Sequence, residues 1–100
     1  MVAPKFAGGY PVIELTNGVT LYGTPFCPYC VAARRLLTQL DIAFEDTSVE
    51  GDNAMRHQLM EMSGQRTVPQ VWVGKQHIGG YTELAALHQQ GGLVPLVNAL

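Results

Sequence analysis

The sequence predicts an α/β fold, a four-stranded mixed sheet with helices on its faces. The first half alternates β-rich runs with stretches of helical apolar spacing, the order of a βαβ unit. The second half holds two β-rich runs joined by Gly74-Lys75, a turn so short that the pair must be an antiparallel hairpin. Glycine pairs at 79–80 and 91–92 then mark off two closing helical stretches.

Val19-Thr20-Leu21-Tyr22 is the first strand, and Gly23 to Phe26 form a loop. A helix starts near Pro28, because the N–H that proline lacks would have had no partner in a first turn. Ala33, Leu36, Leu37 and Leu40 fall on one buried face at i, i+3, i+4, i+7, with Arg34, Arg35 and Gln39 toward solvent. Ile42 to Asp46 alternates as a second strand, parallel to the first through a right-handed crossover. Residues 52–63 read as a helix with Met55, Leu59 and Met62 on one stripe. Pro69 to Val73 and Gln76 to Ile78 are the hairpin strands. Thr82 is the expected N-cap of a helix carrying Leu84 and Leu87, and residues 93–100 form the last one. Residues 1–18 are a Gly- and Pro-rich extension, loosely ordered or with a short edge strand over 12–15. Residues 19–100 are the folded domain.

A chain of 100 residues with net charge −2 offers no basic field for nucleic acid or an anionic membrane. It contains no 18-residue apolar run that could span a bilayer. The N-terminus lacks a signal peptide's apolar core, so the expected compartment is the cytoplasm and the expected state a monomer. Thiols there stay mostly reduced, which favours a reactive cysteine pair over a structural staple.

Cys27-Pro28-Tyr29-Cys30 holds the chain's only two cysteines. Cys27 falls at or near the helix N-cap, where unpaired amides and the positive dipole end favour a thiolate. Cys30 shares its face one turn on and lies deeper, so Cys27 attacks and Cys30 resolves. A zinc site would need further ligands, while His57, His77 and His88 are scattered over different elements; no metal is expected.

With Cys27-Pro28-Tyr29-Cys30, Arg66-Thr67-Val68-Pro69 and Gly79-Gly80-Tyr81-Thr82-Glu83 in order, the chain resembles the dithiol glutaredoxins of the small bacterial type, from about Val19 to the C-terminus. The resemblance implies a thioredoxin fold and a glutathione-dependent oxidoreductase. Such an enzyme reduces protein–glutathione mixed disulfides and protein disulfides, with glutathione as co-substrate. It implies a cis bond before Pro69, with Val68 pairing to glutathione like an added strand. It implies that Thr67 belongs to the same segment and that Tyr29 lines the site. Gly80 would allow close approach, and the amides at Thr82 and Glu83 would hold the γ-glutamyl carboxylate. Arg56, ahead of Arg66, would pair with the glycine carboxylate. Where many members carry a lysine this chain has Thr24, which shifts thiolate stabilisation onto helix amides. Tyr81 also departs from the small residue or cysteine common there. Two other readings are a dimer bridging an iron–sulfur cluster through Cys27 and glutathione, against which Pro28 argues, and a thioredoxin-like protein reduced by a flavoenzyme.

Overall fold

The computed structural model describes Ile13 and residues 15–100. The elements are β1 (Val19–Gly23), α1 (Pro28–Gln39), β2 (Phe44–Ser48), α2 (Asn53–Ser63), β3 (Gln70–Val73), β4 (Gln76–Gly79), α3 (Tyr81–Gln89) and α4 (Leu93–Asn98). The sheet order is β2-β1-β3-β4. β1 runs parallel to β2 and antiparallel to β3, and β3 is antiparallel to β4. The expected α/β architecture is therefore present: a parallel βαβ half joined to a hairpin half in one four-stranded mixed sheet.

The two central strands are buried on both faces, because side chains alternate across a sheet. Val19, Leu21, Val71 and Val73 point to one side and pack with Ala33 and Leu37 of α1, Leu84 of α3 and Leu93 of α4. Tyr22 and Trp72 point to the other side and pack with Val49 and with Leu59 of α2. Ile13 and Leu15 cover this second cluster and belong to no strand. Residues 1–12 and 14, and with them two positions of the expected edge strand over 12–15, lie outside the described residues. Among the described residues no helix is long and apolar enough to cross a membrane.

Several boundaries differ from the sequence reading. The second strand starts at Phe44, two residues late. Asp41 adopts a left-handed φ of 57° and the Ile42 N–H donates to the Leu37 carbonyl at 3.0 Å. Ile42 thus closes α1 and fills the core instead of entering the sheet. Met62 is 39% exposed, so the α2 stripe ends at Leu59. Gly80, not Thr82, is the N-cap of α3, and the Glu83 carboxylate accepts from the Gly80 N–H at 2.8 Å. Thr82 is the second helical residue.

Candidate active site

β1 ends at Gly23 and delivers the chain through a short loop to Cys27, the N-cap of α1, in extended conformation (φ −73°, ψ 124°). Few amides can reach the sulfur there. Pro28 has no N–H, and the Val31 N–H is spent on the Cys27 carbonyl at 2.9 Å. That leaves the amides of Tyr29 and Cys30. The Cys27 thiol is lowered from its ordinary pKa, first by the Cys30 backbone N–H. Partial burial opposes this, while the Cys30 side chain, the Tyr29 amide and the Arg34 charge add to it. No side-chain capping hydrogen bond closes at Cys27, so the amides act chiefly as oriented dipoles.

Cys30 has the opposite setting. It is fully buried, and burial pushes its thiol up. The Thr24 N–H donates to its Sγ at 3.5 Å and partly offsets that rise. The sulfur lies so close to Gly23 that a Cβ there would stand 2.8 Å from it. Both cysteines are free thiols. A partly exposed sulfur with a lowered pKa beside a buried one with a raised pKa is the division of labour that nucleophile and resolving thiol require.

A groove of about 590 Å³, a size typical of small-molecule sites, is lined by Tyr29 of the Cys27–Cys30 turn, though by neither cysteine. Of the predicted residues, Tyr29, Thr67, Val68, Pro69, Gly80, Thr82 and Glu83 line it. The Val68–Pro69 peptide is cis. Among the described residues no hydrogen bond engages the Val68 N–H or C=O. At the far end the α3 N-terminus faces the groove, and the Leu84 N–H is the first to close on the Gly80 carbonyl, at 3.0 Å. Gly79 makes that corner possible. Its φ is +125°, and a Cβ would lie 3.0 Å from Glu83. Tyr81 and His77 also line the groove; burial lowers the His77 pKa and the Glu83 charge works against it.

Arg56 is not among the groove-lining residues. Its Nε donates to the Val49 carbonyl at 3.2 Å, which ties the start of α2 to the end of the second strand. Arg66 is exposed and likewise outside the lining. The sequence reading missed Gln65, which lines the groove and shares its side-chain N–H groups among the Thr67 and Pro69 carbonyls at 2.9 and 3.1 Å and the Thr67 hydroxyl at 3.3 Å. Its only sequence signal is a polar residue just ahead of Thr67-Val68-Pro69. Arg34, expected in solvent, is instead drawn into the loop ahead of Cys27. No three His, Cys, Asp or Glu side chains gather as a metal site among the described residues.

The geometry agrees with the comparisons to known proteins. A family model described as Glutaredoxin matches residues 19–78. The chain belongs to the glutaredoxin family. It is 42% identical over 81 residues to a glutaredoxin of Neisseria meningitidis, covering 80% of this chain and 95% of that one. It is 40% identical over 80 residues to glutaredoxin 3 of Escherichia coli K12, covering 80% and 96%. Among solved structures, a buckwheat glutaredoxin–glutathione complex superposes with a TM-score of 0.79 at 30% identity, covering 83% of this chain and 78% of that one. A glutaredoxin from Brucella melitensis superposes with a TM-score of 0.73 at 33% identity, covering 84% and 91%. The fold is thus the thioredoxin-like fold of glutaredoxins. Cys27 and Cys30 are the family's dithiol, and the activity is glutathione-dependent thiol–disulfide exchange.

Proposed function

We propose that this protein removes glutathione from protein–glutathione mixed disulfides through Cys27 and reduces protein disulfides through Cys27 and Cys30 together. The observation that carries the reading is the Val68 backbone pair, unengaged among the described residues, in a groove that Tyr29 of the dithiol turn also lines. An extended thiol peptide laid there pairs with Val68 as an added strand. Its carboxylate end then meets the first-turn amides at Thr82 and Glu83. The Glu83 carboxylate, turned back onto Gly80, stands where an adjacent ammonium group is favoured. Tyr29 and Thr67 border the peptide and Gly80 lets it lie close. Arg56, held on the Val49 carbonyl, is left out of these contacts.

The Cys27 thiolate attacks the glutathione sulfur. The protein thiolate leaves and is protonated, and Cys27 carries glutathione. A second glutathione thiolate attacks that glutathione's sulfur, releasing oxidised glutathione and restoring the Cys27 thiolate. With a protein disulfide, Cys30 displaces the substrate from Cys27 and glutathione reduces the resulting pair. A reducing compartment such as the cytoplasm supplies the glutathione.

The test is turnover of a glutathionylated protein by the wild type, Cys30→Ser and Cys27→Ser. Cys30→Ser should keep most of the activity and Cys27→Ser should lose it; activity retained in Cys27→Ser overturns the reading. Replacing glutathione by cysteinylglycine, which lacks the γ-glutamyl carboxylate, should raise KM if the α3 amides hold that group.

A further inference from the structure

Arg34 stands one helical turn beyond Cys30, and its side chain ties the loop ahead of Cys27 to the second strand. Its Nε donates to Asp46 Oδ2 at 2.7 Å, and Nη2 donates to the Thr24 carbonyl at 3.0 Å. The N–H of that same Thr24 donates to Cys30 Sγ at 3.5 Å. The Arg34 side chain is 21% exposed and Asp46 43%, so the ion pair lies at the surface while the contact to the Thr24 carbonyl is partly buried. The four residues form one chain of contacts, from Asp46 through Arg34 and Thr24 to the buried sulfur. A guanidinium holds a carboxylate and a carbonyl at fixed relative positions; an ammonium, as a point charge on a flexible stem, does not. Gly23 also lies against the same sulfur, leaving no room for a Cβ.

We infer that Arg34, anchored on Asp46, is a positioning residue that holds Thr24 against the Cys30 sulfur and so sets the rate of the resolving step. In that step Cys30 ionises and its thiolate attacks Cys27. The Cys27–Cys30 bond forms and the bond from Cys27 to the substrate breaks. The substrate thiolate departs with the electron pair and takes up the proton that Cys30 gave to solvent. The donor on Cys30 favours its thiolate and fixes where the sulfur starts. Attack by Cys27 on the substrate does not use this donor. The inference rests on the two-thiol reading of protein disulfide reduction above.

The experiment mixes reduced protein with a symmetric peptide disulfide and follows peptide thiol release. Wild type should release two thiols per chain, the first from attack by Cys27 and the second from resolution by Cys30. Asp46→Asn and Arg34→Lys both keep a positive charge near Cys27 while breaking the clamp. Each should slow the second phase about three- to tenfold, the scale of one hydrogen bond, and Asp46→Asn should leave the first within about twofold. The rise of the second-phase rate with pH should also move to higher pH. An unchanged second phase in both variants overturns the inference, and so does an equal slowing of both phases. Cys30→Ser is the control. If it still releases a second thiol, the two-thiol reading itself fails; if it releases one while Asp46→Asn matches wild type, only the clamp fails.

Discussion

Helices α1 and α2 both leave a loop with first-turn amides that have no partner inside the helix. At α2 the Asp52 carboxylate takes one of them, accepting from the Met55 N–H at 3.0 Å, and a left-handed Gly64 closes the other end. At α1 the capping residue is Cys27, whose side chain closes no such bond. Pro28 removes one competing N–H and the Cys27 carbonyl occupies another. The amides that remain face a sulfur. The same backbone groups therefore stabilise the fold when a carboxylate takes them, and supply a nucleophile when a thiol does.

Exchanging the caps tests this comparison hardest. Cys27→Asp places a carboxylate on the α1 amides. All thiol exchange should disappear, while stability in urea should rise by about 0.5–1 kcal/mol; no gain would mean that the amides are not free to bind an anion. The reverse change, Asp52→Ala, should cost about 1 kcal/mol and leave turnover of a glutathionylated protein at the wild-type rate. A turnover loss would show that the α2 cap shapes the site as well as the fold.

A smaller effect comes from pH. Folding lowers the Cys27 pKa, so its contribution to stability is present above the unfolded thiol value, near 8.5, and is lost as pH falls through the folded value. Folding raises the Cys30 pKa, so its contribution is complete below the unfolded value and is lost as pH rises through the folded one. Relative to a double serine variant, Cys30→Ser should gain stability as pH rises toward 8.5, and Cys27→Ser should lose it as pH rises beyond. Opposite slopes would contradict the assignment of the two thiols. Smallest of all, Phe26→Ser should shift stability by no more than about 0.5 kcal/mol, because Phe26 is 88% exposed beside the nucleophile. A larger loss would show that this ring supports the loop.

The sheet was legible because its central strands are buried on both faces and read as dense β-rich runs, Val19 to Tyr22 and Gln70 to Val73. The dithiol was legible because both cysteines sit together at a strand-to-helix junction. Ile42 misled, since an apolar residue in an alternating run looks the same whether it enters a sheet or closes a helix. Thr82 misled because threonine caps well by propensity, yet the better signal was Glu83 three residues after Gly80, the spacing of a reciprocal cap. Arg56, Gln65 and Arg34 could not be sorted by sequence. A polar residue on a helix or loop carries no mark of which carbonyl it will reach. Only the folded chain brings Arg56 to Val49, Gln65 to Pro69 and Arg34 to Thr24.

The most direct test of the account is a thiolate absorbance titration of the reduced protein, with Cys30→Ser and Cys27→Ser alongside. The single variants remove the coupling between the two sulfurs. Cys30→Ser should show one ionisation below the ordinary thiol value, because the Cys30 and Tyr29 amides remain, and Cys27→Ser one above it. Two variants titrating together at the ordinary value, or in the reverse order, would contradict the claim that the open N-terminus of α1 makes Cys27 the nucleophile.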